Sequence, residues 1–273
     1  MPELPEVEVT RRGIAPFLVG QVITGVAVRH PRLRWPIPQA LVRSLPGQPI
    51  TAVRRRAKYL LVDMPAGTLV LHLGMSGSLR ILTQAMPPGI HDHFDLCYTG
   101  GVLRLNDPRR FGAVLWQPEG GELSSQPGLL DRLGLEPFDP AFSAAVLWQR
   151  TRGRAGAIKQ VLLAGEIVVG VGNIYASECL FRAGIHPQRS AGRISAARYE
   201  RLAQTIRDVL QEAIAQGGST LRDFVDSRGS PGYFQQAHQV YGRAGLPCVR
   251  CGAPIRQITQ GQRSTWFCPR CQR

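Results

Sequence analysis

The chain has 273 residues, enough for two domains that each have their own hydrophobic core. Its 33 lysines and arginines outnumber its 19 acidic residues, which gives a formal net charge of +14 at pH 7. This excess favours a polyanionic partner, nucleic acid before membrane, because no uninterrupted apolar run is long enough to span a bilayer.

The amino terminus, residues 1–8, combines three carboxylates and two prolines. It is acidic and lacks the apolar segment of a secretory signal, so we expect a cytoplasmic protein. Methionine is normally removed before proline, which would leave Pro2 with a free secondary amine. An α-amine titrates near ~8 and is a candidate nucleophile at neutral pH. Glu3 stands beside this amine as a candidate proton donor, and Glu6 would share its face of a helix.

The same stretch also has a purely structural interpretation. Pro5, Glu6 and Glu8 suit the first turn of a helix, where the helix dipole favours acidic residues. The apolar residues that follow helical spacing are Leu4, Val7, Ile14 and Leu18.

Residues 21–135 predict strands, because short apolar or alternating runs are separated by turn signals such as Thr99-Gly100-Gly101. The predicted strands are 22–29, 50–54, 59–63, 69–73, 79–82, 93–98, 102–105 and 113–116. Many short strands with close turns favour an antiparallel sandwich.

Two segments of this region place unusual side chains next to strands. The basic run 54–58 is most simply a solvated strand edge, but Lys58 would also be able to reach a phosphate or a reacting centre. In the segment 72–77, Met75 is a core residue by type, although the neighbouring glycines leave room for it to project.

The turn 106–112 carries Arg109 and Phe111. An enzyme that removes a base from the stack must fill the hole and hold the unpaired partner, and an aromatic wedge beside an arginine suits both tasks. The ordinary alternative places Phe111 in the core and Arg109 in an ion pair.

From Gly153 onward the apolar pattern becomes helical, after a segment 136–150 that we interpret as a linker. Helices are predicted at 157–163 and 173–181, and a third follows Ser195 as a cap. Two glycines before Asn173 expose backbone N–H groups, and Asn173 would cap its helix while facing an anion.

Four of the six cysteines lie in the last 26 residues. Two C-x2-C pairs, separated by 16 residues, have the spacing of a structural four-cysteine zinc site, formed by Cys248, Cys251, Cys268 and Cys271. Two strands of a hairpin, 255–259 and 264–267, are predicted between the pairs. The hairpin is rich in arginine and would lie along a phosphate backbone, although a ribbon that binds only protein stays possible.

Taken together, these segments resemble the formamidopyrimidine-DNA glycosylase family. The motifs occur in the family's order at 2–8, 56–61, 72–82, 107–112, 168–178, 217–224 and the four-cysteine ribbon, and so cover essentially the whole chain. The resemblance implies an α+β multidomain fold with an amino-terminal antiparallel β-sandwich, flanking helices, and a carboxy-terminal helix-two-turn-helix domain that carries the zinc ribbon.

The resemblance also implies the domain limits. We expect a catalytic β-sandwich domain with its amino-terminal helix at 1–135, the linker at 136–150, a helical DNA-binding domain at 151–236, and a zinc-ribbon hairpin at 237–273. Within the helical domain, 217–236 would form a loop that caps the lesion. One structural zinc ion, no organic cofactor and a monomeric protein are expected.

The implied activity is that of a bifunctional DNA glycosylase and AP lyase of base excision repair, acting on 8-oxoguanine opposite cytosine and on formamidopyrimidines. Pro2 would attack the sugar C1′ and form a Schiff base, with Glu3 as proton donor and Glu6 supporting the amine. Lys58 would act in β-elimination and Arg263 in δ-elimination, and both are equally describable as phosphate clamps.

The implied partner is damaged double-stranded DNA. Met75, Arg109 and Phe111 would enter the space that the flipped base leaves. The residues that would hold DNA around the lesion are His72, His91, Arg154, Lys159 and Asn173. The residues that would cover the extruded base are Ser219, Leu221, Arg222, Asp223 and Phe224.

Two alternatives stay open. An endonuclease VIII-like enzyme for oxidised pyrimidines shares the proline terminus and the ribbon, although Leu4 and the run 109–111 are closer to the oxidised-purine branch. A non-catalytic damaged-DNA-binding protein would keep the clamp without the chemistry. The chain also departs from the family at Ala164-Gly165, where an acidic residue is usual, and we expect local looseness there.

Overall fold

The computed structural model of the chain describes residues 2–218 and 238–273, which form two compact units. The first unit comprises Met1–Asp131 and Gln216–Phe234, and the second comprises Arg132–Ala215 and Gln235–Arg273, each as far as the structure describes it. Within the described ranges, no helix is both long enough and apolar enough to cross a membrane.

The described part of the first unit contains eight strands and two helices. Its elements are α1 (Leu4–Leu18), β1 (Ile23–Val28), α2 (Ala40–Ser44), β2 (Ala52–Arg56), β3 (Tyr59–Met64), β4 (Gly67–His72), β5 (Ser78–Leu82), β6 (Asp92–Tyr98), β7 (Gly101–Asn106) and β8 (Ala113–Pro118). All strand pairs are antiparallel, in two four-stranded sheets ordered β1-β6-β7-β5 and β2-β3-β4-β8. The predicted strands and the antiparallel sandwich are confirmed.

Both sheets contribute to one hydrophobic core, which α1 also enters through Val7, Ile14 and Leu18. The sheet residues alternate as the pleat requires: Leu69 and Leu71 of β4 face the core together with residues of β6. The connections β4–β5 and β7–β8 each pass from one sheet to the other. Because β4 pairs with β8 and β5 with β7, these two connections run side by side.

The opposite face of the first sheet carries a buried ion-pair network. Asp95 on β6 and Arg104 on β7 are directly paired across the ladder and are only 3% and 4% exposed. Arg104 donates to both carboxylate oxygens of Asp95, at 2.9 and 2.8 Å, and also to the carbonyl of Met86 at 3.0 Å. Burial raises the pKa of Asp95, but hydrogen bonds from Arg29 and Arg104 outweigh it, so the pKa lies below its usual value. The buried charges of Asp95 and Arg104 therefore stabilise the protein only when both partners are present.

The second unit is helical and ends in a hairpin. Its elements are α3 (Ala144–Thr151), α4 (Ile158–Ala164), α5 (Asn173–Arg182), a short 3₁₀ helix (Ala191–Arg193), α6 (Ala196–Ala215), β9 (Arg256–Gln260) and β10 (Arg263–Phe267). The predicted helices and hairpin are confirmed, and α6 begins directly after Ser195.

The interpretation of 136–150 as a linker is wrong for its second half, because α3 occupies it. The Ser143 side chain caps this helix by accepting from the Val146 N–H at 3.3 Å. Only Leu147 and Thr151 of α3 are buried, so the apolar pattern was too sparse to predict the helix.

The network around Arg104 generates a stability prediction. Arg104→Met leaves the buried Asp95 without its bidentate partner and is expected to lower the free energy of unfolding by about 3 kcal/mol. Arg54→Met is the control, since Arg54 pairs with Asp63 at the surface, with its side chain 58% exposed, and should cost less than ~1 kcal/mol. Urea titration of both variants measures the difference, and equal losses would contradict the role of the network.

Candidate active site and nucleic-acid interface

The predicted nucleophile and its neighbours lie at the start of α1. Pro2 is buried, and Glu3 and Glu6 are 1% and 0% exposed. A reciprocal capping box fixes the two carboxylates: the Glu3 N–H donates to Glu6 Oε2 at 2.7 Å, and the Glu6 N–H donates to the Glu3 side chain. The Glu3 carboxylate is thus held next to Pro2 at the positive end of the helix dipole.

Gly218 packs directly against Glu6. Its φ is +82°, and a Cβ at this position would lie 3.3 Å from Glu6 Cγ. Only glycine combines this backbone conformation with so close an approach. The chain that leaves α6 therefore contacts the carboxylate that braces the amino terminus.

Lys58 lies in the two-residue turn of the β2–β3 hairpin, where Arg56 pairs with Tyr59. Ala57, the first turn residue, has φ +53°, and its carbonyl accepts from Arg55 Nη1 at 3.0 Å. A turn this short fixes the direction of both of its side chains. Lys58 is half-buried, which is consistent with a side chain that reaches toward a reacting centre.

His72 ends β4 and is held in one tautomer. Its Nδ1 accepts from the Gly74 N–H at 3.0 Å, so the ring hydrogen resides on Nε2. Desolvation by the surrounding protein, together with the charges of Lys58 and Arg34, lowers the pKa of His72 to about 3. His72 is therefore a neutral hydrogen-bond donor at physiological pH, and it does not act as a cation.

Met75, Arg109 and Phe111 lie on the two adjacent connections between the sheets. Met75 and Phe111 are 38% and 45% exposed, which excludes the core interpretation for both. The Arg109 guanidinium carbon lies 4.9 Å from the centroid of the Phe111 ring. His72, Met75 and Phe111 also line a surface cavity of about 300 Å³. The first unit thus presents an exposed aromatic, an arginine and a methionine together.

His91 is exposed, as a DNA-contacting residue requires. Its ring centroid lies 6.4 Å from that of His93, in an edge-to-face arrangement. His93 Nε2 in turn forms a hydrogen bond of 3.0 Å with the carbonyl of Asp107. His91 therefore lies next to the connection that carries Arg109 and Phe111.

In the second unit, Asn173 does not have the predicted capping role. Gly172 is the N-cap of α5, and Asn173 Nδ2 donates to the Ser264 carbonyl of β10 at 3.1 Å. The side chain of Asn173 thus connects α5 to the hairpin.

Lys159 is fully buried, which contradicts its prediction as a residue that contacts DNA. Its Nζ donates to Thr265 Oγ1 at 2.8 Å and to the Ser264 carbonyl at 3.3 Å. Lys159 supports the hairpin from α4, next to Arg263. The burial of Lys159 could not be predicted from the sequence, because a lysine beside apolar residues gives the same pattern whether its ammonium group is buried or exposed.

Arg263 begins β10 and is exposed at the hairpin tip. The turn residues Gly261 and Gln262 have φ of +51° and +61°, as a two-residue type I′ turn requires. The tip also rests on α4, since a Cβ on Gly261 would lie 2.8 Å from Gln160 Oε1. Helix and turn together fix where Arg263 leaves the hairpin.

Arg154 is exposed and pairs with Glu166 at 2.9 Å. An exposed pair of this kind is weak, so a phosphate is able to replace the carboxylate. Ala164 is the last residue of α4 and Gly165 follows as its C-cap, with φ +71° in the left-handed region.

The four carboxy-terminal cysteines form one cluster, whose sulfur atoms all lie within 4.8 Å of one another. The Cys248–Cys271 and Cys251–Cys268 sulfur distances are 3.9 and 3.5 Å. A tetrahedral zinc with Zn–S bonds of about 2.3 Å places its sulfur ligands ~3.8 Å apart, so the cluster fits zinc. Four thiolates complete the coordination, and the ion is structural.

The predicted lesion-covering residues Ser219, Leu221, Arg222, Asp223 and Phe224 lie outside the described residues. Several buried polar residues inside the motifs were given no role by sequence reasoning, and three of them form hydrogen bonds that fix neighbouring segments. These three are Ser76, Asp107 and Glu178. The Glu178 carboxylate accepts from the backbone N–H groups of residues 239–241 at 2.9–3.0 Å, so it fixes the start of the segment that leads to the cysteines.

Three family models match the chain. A formamidopyrimidine-DNA glycosylase N-terminal domain matches residues 1–114, the H2TH domain of the same family matches 133–225, and a zinc finger found in FPG and IleRS matches 245–273. The formamidopyrimidine-DNA glycosylase of Herminiimonas arsenicoxydans is 60% identical over 273 residues, with all of both chains covered.

Solved structures give the same result. The MutM (Fpg) protein of Thermus thermophilus is 40% identical, with a TM-score of 0.89, and 99% of this chain and 98% of that chain are covered. A point mutant of Lactococcus lactis FPG, in complex with a Fapy-dG containing DNA, is 35% identical with a TM-score of 0.89 and full coverage of both chains.

Zinc content tests the cysteine cluster. The wild-type protein is expected to contain one zinc ion per chain, and Cys268→Ser to lose most of it, because a serine hydroxyl is a poor replacement for a thiolate. Cys97→Ser is the control, since Cys97 lies in β6 outside the cluster. Mass-spectrometric metal analysis measures both, and full zinc content in Cys268→Ser would contradict the assignment.

The environment of His72 generates a prediction about pH. With its pKa at about 3, the ring should stay neutral between pH 5 and 8, with the hydrogen on Nε2. The ¹⁵N chemical shifts of the His72 ring, followed by NMR, are expected to be constant over this range. Free histidine in the same buffer titrates near ~6.5 and is the control. A midpoint near that value for His72 would rule out the neutral donor.

Proposed function

Because the chain belongs to the formamidopyrimidine-DNA glycosylase family, we propose that it is a bifunctional DNA glycosylase and AP lyase of base excision repair. Its substrates are oxidised purines in double-stranded DNA, namely 8-oxoguanine opposite cytosine and formamidopyrimidines. The observation that carries the proposal is the start of α1, where the capping box with Glu6 fixes Glu3 directly after Pro2.

The first step is base removal. After removal of Met1, the Pro2 amine uses its lone pair to form a bond with C1′ of the sugar. The damaged base leaves with the electrons of the glycosidic bond and takes up the proton that the Pro2 nitrogen loses. Glu3 donates a proton to the ring oxygen, so the bond between this oxygen and C1′ breaks and the sugar ring opens. The product is an iminium ion between Pro2 and C1′. Glu6 supports this step by holding Glu3 and the backbone that follows Pro2.

The second step is strand cleavage. The iminium ion accepts electrons when a proton leaves C2′, and the 3′ phosphate departs by β-elimination. Lys58 lies in a tight turn and assists this elimination, and Arg263 at the hairpin tip assists the subsequent δ-elimination of the 5′ phosphate. Their positive charges also stabilise the departing phosphates.

DNA is held by groups of different kinds. The exposed side chains of Met75, Arg109 and Phe111 fill the space of the extruded base from adjacent connections. The remaining contacts come from the neutral N–H of His72, the exposed ring of His91, and the cation of Arg154, which exchanges its carboxylate partner for a phosphate. Asn173 and Lys159 act indirectly, by supporting the hairpin.

Recognition of the damaged base is assigned to Ser219 and residues 221–224. Oxidised guanine would be distinguished from ordinary guanine by hydrogen bonds that only the oxidised base forms. The protein acts as a monomer in the cytoplasm, where it is associated with DNA, and needs no organic cofactor.

Borohydride trapping tests this function. Reduction of the iminium ion should link the wild-type protein covalently to duplex DNA with 8-oxoguanine opposite cytosine, and Pro2→Gly should lose most of the adduct. Pro5→Ala is the matched control, because it changes the other proline of the same turn and leaves the terminal amine intact. Intact mass must first show that Met1 is absent from all three proteins.

Three outcomes would contradict parts of the proposal. Stronger trapping with thymine-glycol DNA would place the enzyme in the oxidised-pyrimidine branch. Equal trapping by Pro2→Gly and wild type would show that the secondary amine of proline is not required at residue 2. Tight binding without an adduct on either DNA, despite a free Pro2, would leave a protein that only binds damaged DNA.

A further inference from the structure

The exposed wedge residues depend on a buried carboxylate that has no role in the function proposed above. Asp107 is 0% exposed and lies two residues before Arg109. Its Oδ1 accepts from the Ser76 hydroxyl at 3.1 Å, and its Oδ2 accepts from the Gly112 N–H at 2.7 Å. One carboxylate therefore joins the β4–β5 connection, which carries Met75, to the end of the β7–β8 connection.

Ser76, on the β4–β5 connection, forms hydrogen bonds with both Asp107 and Arg109. Its hydroxyl donates to Asp107 and accepts from the Arg109 N–H at 3.3 Å, so it contacts the β7–β8 connection twice. Ser76 is 7% exposed and directly follows Met75. Hydrogen bonds to an ionised carboxylate inside a protein are stronger than those between neutral groups.

Two glycines allow the connections to lie backbone to backbone. A Cβ on Gly74 would lie 2.4 Å from the Gly112 nitrogen, and a Cβ on Gly112 would lie 2.6 Å from the His72 carbonyl oxygen. Gly74 also has φ +62°. Neither contact tolerates a side chain, so the space between the connections is fixed by the backbone itself.

The backbone of Asp107 also forms hydrogen bonds, with His91 and with Arg110. The Asp107 N–H donates to the His91 carbonyl at 2.9 Å, and the Asp107 carbonyl accepts from the Arg110 N–H at 3.1 Å. Arg110 has φ +55°, an unfavourable value for arginine, and it lies between Arg109 and Phe111. Asp107 thus holds the strained residue that turns Arg109 back over the Phe111 ring.

We propose that Asp107 and Ser76 form a latch that positions Met75, Arg109 and Phe111 as one rigid wedge for base extrusion. This inference rests on the proposed function, since it assigns the wedge to extrusion. Asp107 and Ser76 are positioning residues, because they act through the exposed side chains and do not contact DNA themselves. A loose wedge would still meet DNA but would not hold the gap open while the base enters the active site.

Ser76→Ala is the variant that tests the latch, because it removes one oxygen atom and leaves the wedge side chains intact. Excision of 8-oxoguanine should fall about tenfold, the effect of losing a charge-assisted hydrogen bond in the extrusion step. Cleavage of DNA that already contains an abasic site should fall less than about threefold, since no base needs to be extruded. A general loss of stability would lower both activities equally and would overturn the proposal.

The matched control is Ser124→Ala. The Ser124 hydroxyl also accepts a backbone N–H in the same unit, from Trp116 at 2.9 Å, but it lies outside the two connections. Ser124→Ala should retain both activities. Asp107→Asn is the second variant, because an amide keeps the shape but has one acceptor for two donors, and it should show the same selective loss.

Hydrogen exchange separates a failed latch from a failed function. Peptides that contain Arg109 and Gly112 should exchange faster in Ser76→Ala than in wild type or Ser124→Ala, whatever the protein does to DNA. Unchanged exchange would show that no latch exists. Faster exchange with unchanged excision would show that the latch does not position the wedge, whereas absence of excision in the wild type would disprove the proposed function instead.

A double-mutant cycle completes the test. If Ser76 acts through the wedge, Ser76→Ala should cost much less in a Phe111→Ala background than in the wild type. Additive losses in excision would mean that Ser76 acts by another route and would overturn the proposal.

Discussion

The proposed chemistry of this protein depends on a chain terminus that is held in a fixed position. Termini are usually the most mobile part of a domain, yet the proposed mechanism requires the terminal segment to present an amine and a carboxylate together. The first turn of α1 meets this requirement with the reciprocal capping box of Glu3 and Glu6. Burial of Leu4, Ile14 and Leu18 anchors α1 to the sandwich. Packing of the helix against the core therefore restricts the motion of the terminus.

Burial of acidic residues shapes the surface as well as the active site. Among the described residues, seven acidic side chains are buried, whereas the only buried arginine and lysine are Arg104 and Lys159. The seven are Glu3, Glu6, Glu8, Asp92, Asp95, Asp107 and Glu178. Acidic groups are thus used inside the protein as hydrogen-bond acceptors, and the exposed side chains of the described residues are more basic than the net charge alone suggests.

The sequence predicted the strands well, because alternation and turn residues specify a strand locally. It failed where the signal was short or sparse. The five-residue helix α2 and the helix α3, with two buried residues, both depend on tertiary packing. At β2 the apolar run began at Ile50, but the ladder runs from Ala52 through Arg56, because arginine stems also suit a strand.

Side-chain types were predictable in the candidate site, but their burial was not. Lys159 and Asn173 were assigned to DNA, whereas both converge on the Ser264 carbonyl beside Arg263. The same arrangement recurs in the first unit, where the buried Ser76 directly follows the exposed Met75. In each case a buried polar group holds the backbone next to a side chain that we propose acts on DNA. Such anchors give exposed groups a fixed position without burying them, and only the fold reveals which residue of a neighbouring pair is the anchor.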